Sequence, residues 1–280
     1  MLLRVSTEAV VKGDFLMALS RVSEAFTAVL RCPNVRTCIE NPAEAHPCRE
    51  IVNYQFENAR ATSYDDFQLP EPWCGQIDVA PILFVSSNPS IGDDQRALGR
   101  IDDDDAFDSH HFALGGGRGR CVEEGVYTLD PDGKRSKRPV YFWGRARDRA
   151  QELIPGRRVI WGRDYAMTEI VHCKSRNEVG VVAALQECTS LHFDRTMSVA
   201  AASVIIAVGK GRALLRDRYT IPDKQMFAKR LIAGKERILI FLPHPSGFEP
   251  GPRSLTGLYS LEEINMLRQA VASRQSLTQS

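Results

Sequence analysis

No run of about 18 apolar residues occurs anywhere in the 280-residue chain, so no helical membrane span is expected. The opening stretch, MLLRVSTEAVVKGDF, interrupts its apolar positions with acid and base and makes a poor secretion signal. Neither charge sign is in excess: 36 basic residues against 35 acidic leave +1. The chain therefore lacks the strongly basic balance of many nucleic-acid-binding domains, although a local basic stripe is compatible with a neutral total. No internal repeat occurs and no Cys-x-x-Cys pair. A cytoplasmic, monomeric protein is the default expectation. In that reducing compartment the odd number of cysteines, seven, argues against a disulfide framework and leaves core thiols or metal ligands.

Against these absences stands an ample apolar content, 43%, enough to bury a full core in one large domain spanning residues 1–280. Residues 6–31 carry apolar side chains at helical spacing, and residues 1–80 read as that helix followed by loops with short elements. Short continuous apolar runs then mark strands buried on both faces, at 81–85, 158–161, 166–171, 204–208 and 237–242. Helical stretches lie between them near 144–154, 178–200 and 211–217. A last helix near 260–274 opens with the capping box Ser260 to Glu263. The alternation predicts an α/β fold, a three-layer αβα sandwich around a central, mostly parallel sheet of four to five strands. Residues 95–140, with Gly115 to Gly119 and the turn Asp130-Pro131-Asp132-Gly133, read as a surface insertion. The charge clusters Lys134 to Arg138, Arg145/Arg147/Arg149 and Asp102 to Asp105 read most simply as solvated faces.

Ligands of open α/β sheets bind beyond the carboxyl ends of the strands. Two strand-end loops there pair a polar side chain with a proline turn: Ser87-Asn88-Pro89-Ser90 and His244-Pro245-Ser246. A third strand carries Glu169 within an apolar run, where a charge is costly unless paired or functional. Taken singly, His244 reads as a hydrogen-bonded loop histidine, Asn88 as a turn former, and Glu169 as the partner of a base such as Arg145. Convergence of all three at one sheet edge favours a site.

In chain order these segments resemble the uracil-DNA glycosylase superfamily over roughly residues 80–260. Ser87-Asn88-Pro89-Ser90 resembles the first motif of its mismatch-specific and single-strand-selective branches. Asp93-Asp94, Phe142-Trp143-Gly144-Arg145-Ala146 and Thr168-Glu169-Ile170-Val171-His172-Cys173-Lys174 resemble motifs of its iron–sulfur branch, and His244-Pro245-Ser246 resembles the second catalytic motif. The resemblance implies a DNA glycosylase that hydrolyses the N-glycosidic bond of a flipped-out uracil, or a related deaminated base, and leaves an abasic site. In that reading Asn88 orients the water and His244 supports the departing base. Ser87, Phe142 and Glu169 bind the base, Phe142 by stacking. Pro245, Ser246 and Arg253 contact the DNA, with Phe248 or Leu255 as the wedge.

Two positions depart from the pattern. Glu169 stands where the family has an Asn, and an ionised carboxylate only accepts hydrogen bonds. Either Glu169 is protonated and donates, or another residue reads the base, or the preferred base carries an amino group. The iron–sulfur branch further implies a [4Fe–4S] cluster, for which Cys173 and Cys188 match in position. Cys32 and Cys38 stand near the first helix, with Cys48 a possible substitute; buried thiols without a cluster are the alternative. Two other functions fit the fold: a damaged-DNA binding module that traps its product, through His110, His111 or His172, and a small-molecule N-glycoside hydrolase.

Overall fold

The computed structural model describes residues 7–58, 61–91, 102–111, 122–128, 134–244 and 254–279. The chain opens with three helices, α1 (Thr7–Leu30), α2 (Pro33–Glu40) and α3 (Arg49–Asn58). A short strand β1 (Trp73–Cys74) precedes the central strand β2 (Ile82–Ser86). Helix α4 (Asp103–His111) and a small hairpin, β3 (Val122–Glu123) with β4 (Tyr127–Thr128), follow. Next come α5 (Tyr141–Leu153), β5 (Tyr165–Glu169) and α6 (Val181–Cys188), the last joined through a π-helical turn to α7 (Asp194–Val199). The remainder is β6 (Val204–Val208), α8 (Gly211–Tyr219), β7 (Phe227–Ile232), β8 (Lys235–Leu242), α9 (Leu255–Leu258) and α10 (Leu261–Gln279).

The main sheet has the order β1-β5-β2-β6-β8-β7. Its four inner strands are parallel, and each edge strand runs antiparallel to its neighbour. Every residue of β2 and β6 is buried, as expected of parallel strands covered by helices on both sides. One face packs on α1, α4 and α7 through Phe26, Phe107, Met197 and the Leu83/Ile205/Leu239 row. The other packs on α5 and α10 through Ala150, Leu153, Leu267 and the Phe84/Ile206/Ile240 row. Alternation of side chains along the strands sorts these two rows. The three-layer class therefore stands.

The sheet has six strands rather than four or five. The two extra ones are antiparallel edges whose apolar content is too small to stand out: β1 is two residues long, and β7 alternates buried with charged positions. Residues 158–161 do not form a strand. Their backbone is taken by side chains instead, Val159 N–H donating to Gln151 and Ile160 N–H to Asp164, while Val159 and Trp161 pack into the core. Part of the segment expected as a surface insertion is also interior. Helix α4 buries Ala106 and Phe107 against α1, where Phe26 meets Phe107 and Trp73 edge-on at 5.4 Å and 5.1 Å. The glycine run at 115–119 and the turn at 130–133 lie outside the described residues.

Candidate functional site

The loops that leave the four parallel strands meet over one cleft of about 800 Å³. Ser87, Asn88 and Ser90 follow β2, and Ser175, Asn177 and Glu178 follow β5. Gly209 and Lys210 follow β6, and His244 follows β8. Arg212 and Arg216 of α8 and Asp223 complete the wall. The chain leaves β2 for β5 on one side and then crosses to β6 on the other, so β2 sits at a reversal of strand order, where such sheets open a crevice. Its volume falls in the range of small-ligand sites.

Asn88 is fixed by its amide nitrogen. Nδ2 donates to Pro89 O at 2.9 Å, Ser175 Oγ at 3.2 Å, Ser175 O at 3.3 Å and Cys173 O at 3.4 Å. That settles the amide's orientation and leaves Oδ1 as the side chain's working acceptor in the cleft. The ring of Phe142, in the first turn of α5, lies 5.6 Å from that of His244, with planes 33° apart, but neither Phe142 nor Glu169 is among the residues that line the cleft. Gly209 has φ +58°, and a Cβ there would come within 2.9 Å of His244 Cδ2, so the β6 loop limits where the imidazole can go.

Glu169 ends β5 in register with Ser86, whose Oγ donates to it at 3.4 Å. Its charged neighbours are Glu71 and Lys174 rather than Arg145, which bonds Tyr141 and pairs with Asp148. Burial, reinforced by the Glu71 charge, pushes the Glu169 carboxyl well above the usual carboxylate range. Burial acts on Glu71 in the same sense, but Lys174 Nζ at 3.0 Å overrides it and holds Glu71 at about 2. The lysine thus serves Glu71, and the Glu169 carboxyl is biased toward its neutral form.

Among the described residues one group of side chains could hold a metal ion. Glu71, Cys74 and His110 bring one ligand atom each to within 4.8 Å of one another. Separately, Cys32, Cys38, Cys48, Cys173 and Cys188 are all buried in one apolar nest where α2, α3 and α6 meet. Burial pushes Cys48 and Cys188 up to about 12, and the neighbouring thiols add to it. Donors already point at three of these sulfurs: the Asn34 and Val35 amides at Cys32, the His172 amide at Cys188, and Asn34 Nδ2 at Cys48, 3.9 Å away. Such a shell stabilises thiolate ligands, so the residues fit a metal–thiolate group. Among the described residues no amide points at the Cys38 sulfur, which feels the Arg49 charge instead.

Several expected residues are placed elsewhere. Leu255, the first residue of α9, is fully buried in the core and cannot serve as a wedge. His110 and His111 are buried on α4, His111 between Asp78 and Trp73, and His172 is buried against His192; none lines the cleft. Pro245, Ser246, Phe248 and Arg253 lie outside the described residues, as do Asp93 and Asp94. Conversely, Glu178, Lys210, Arg212, Arg216 and Asp223 line the cleft without having stood out in the sequence, where each is one more charge in a polar loop or helix.

No known family model matches the chain, and no curated protein is similar to it. Fold and site define an α/β protein with a polar cleft, one wall of it cationic, at the carboxyl edge of its sheet.

Proposed function

We propose that the protein is a DNA glycosylase that removes uracil, or a related deaminated base, from DNA and leaves an abasic site. The observation that carries the reading is that Asn88 and His244, from strands two apart in the sheet, share one cleft, with the Phe142 ring tilted beside the histidine. Extruding the nucleotide costs a few kcal/mol, and stacking on Phe142 returns roughly 1–3 kcal/mol of it. The anchored Asn88 presents Oδ1 to a water and orients it for attack on C1′. As the base departs, its oxygen gains negative charge, and a hydrogen bond from His244 is strongest at that moment. Lys210 and Arg212 along one wall suit a phosphate backbone, while the buried Arg216 behind them is held by Pro222 O and the face of Phe241. A protonated Glu169 at the same sheet edge supplies the donor that an ionised carboxylate lacks.

The same reading assigns a [4Fe–4S] cluster to Cys32, Cys173 and Cys188 together with Cys48, the substitute that the sequence offered, in place of Cys38. When bound, the cluster supplies a covalent tie between the segments around α2 and α3 and those around α6. The thiols themselves hold those segments together through their apolar nest.

The test is abasic-site formation on single- and double-stranded oligonucleotides carrying uracil, hypoxanthine or xanthine. Uracil cleavage suppressed by both Asn88→Ala and His244→Ala is the expected result. Cleavage of a different base alone would move the specificity to that base. A folded, metal-characterised protein that cleaves none of them would end the enzyme reading.

A further inference from the structure

Asn88 leaves a chemical gap. An amide can orient a water, but it can neither take up a proton nor offset the positive charge that develops on the sugar. Among the described residues two carboxylates line the cleft, Glu178 and Asp223. Asp223 stands by the Arg216 guanidinium. Glu178 stands with the residues already assigned to the reaction: it bonds Ser87 and feels His244, and its Oε2 lies 2.6 Å from Lys210 Nζ.

The backbone that delivers Glu178 is itself costly. Asn177 and Glu178 are consecutive left-handed residues, with φ 51° and 58°, a conformation rare outside glycine and commonest at functional sites. The turn ends at Gly180, where a Cβ would sit 2.3 Å from the Ile51 nitrogen, so the loop is seated directly against α3. A left-handed glutamate held in a cleft by a packed turn is a position kept for its side chain.

We propose that Glu178 is the catalytic carboxylate of this cleft, held by Lys210 until a DNA phosphate draws the lysine away. This rests on the glycosylase reading above. The lysine side chain is 51% exposed and next to Arg212, so a phosphate can reach it. Once Lys210 turns to the phosphate, Glu178 is left as the anion facing the sugar. The C1′–N bond then breaks with its electron pair leaving on the base, and the water oxygen bonds C1′. The water's proton passes to the Glu178 carboxylate and from there to the base anion, which leaves neutral. Asn88 aims the water, Glu178 takes its proton, and His244 steadies the leaving group.

The experiment is single-turnover excision from a uracil oligonucleotide across pH 5 to 9 (a general range), with binding to a non-hydrolysable 2′-fluoro analogue measured in parallel. Glu178→Gln should slow excision by about a hundredfold or more while changing binding to the analogue only slightly. Glu178→Asp should recover part of the rate. The carboxylate acts only when ionised, so wild-type activity falls at acid pH, and this limb should vanish in Glu178→Gln. The groups facing Glu178 are Lys210, His244, Ser87 and the Arg212/Arg216/Asp223 wall; of these Lys210 depresses its pKa most. Measured with protein far below saturation, where the limb reports the free protein with Lys210 still on Glu178, Lys210→Met should weaken DNA binding and move the acid limb to higher pH, a readout that stands even if Glu178→Gln fails to fold. Excision by Glu178→Gln within about threefold of wild type, or a limb unmoved in Lys210→Met, overturns the inference alone. No excision by the folded wild-type chain overturns the glycosylase reading and this inference with it.

Discussion

Gly209 and His244 are packed so closely that a Cβ on the glycine would lie 2.9 Å from the imidazole Cδ2. The glycine also sits at φ +58°, where an L side chain costs roughly 1–2 kcal/mol. Gly209→Ala should therefore lower stability by about that amount and swing the histidine from its place beside Phe142. Misplacing a reacting group by an ångström can cost about a hundredfold, so the excision rate should fall well beyond what lost stability explains. Thermal melts with single-turnover rates on folded protein would check this; an unchanged rate would mean that the His244 ring position is unimportant.

Asn88 is held by its nitrogen, not its oxygen, which makes Asn88→Asp a harsh change. A carboxylate there turns an oxygen toward the Pro89, Cys173 and Ser175 carbonyls. The expected loss is about 1–3 kcal/mol at neutral pH, larger than that of Asn88→Ala. The deficit should shrink as pH falls and the new carboxyl regains a proton to donate. Urea unfolding at two pH values would measure it, and equal stabilities of the two variants would sink the assignment.

Glu169 has a folded pKa raised above its unfolded value, so its contribution to stability is fully present below the ordinary carboxylate range. It is lost as pH rises through the raised pKa. Glu169→Gln keeps a neutral donor of similar shape. The variant should match wild type in acid and exceed it in thermal stability on the alkaline side, where the wild-type carboxyl is forced to ionise beside Glu71. Melting curves that stay parallel across pH would contradict a neutral Glu169.

Among the five clustered cysteines, Cys48 and Cys38 should behave differently. Iron and sulfide analysis of anaerobically prepared protein should find Cys48→Ala and Cys173→Ala depleted, with Cys38→Ala retaining its cluster. Iron loss in Cys38→Ala with retention in Cys48→Ala would exchange the two assignments. Absence of iron throughout would leave the nest as buried thiols.

Much of the sheet was legible because buried parallel strands are apolar throughout. The apolar runs at 81–85, 204–208 and 237–242 announce β2, β6 and β8 to within two residues at each end. The same rule misled at 158–161, where Val159 and Trp161 are apolar for packing and Asp164, paired with Arg157, takes the backbone donor that a strand would have used. It also passed over β7, whose Lys229 and Arg230 mask a strand that exists because β8 lies beside it. The polar side chains at strand ends were visible as candidates, since Asn88 and His244 each stand beside a proline at the end of an apolar run. Glu178 was not visible, because nothing in a polar loop announces a left-handed backbone or a lysine from α8's start brought to 2.6 Å.

By itself, the order of residues determined the layered α/β class, the ends of the inner strands and the identity of the groups offered there. These depend on local periodicity and burial, which a linear chain records. Only the tertiary structure decided which of those groups meet. Strand order brings β2, β5, β6 and β8 side by side, and the pitch of the sheet places Phe142 by His244, Glu178 by Lys210, and five distant cysteines in one nest. The charge states follow from the same packing, since a carboxyl such as Glu169 is biased toward its neutral form only because the fold removes water and sets Glu71 beside it.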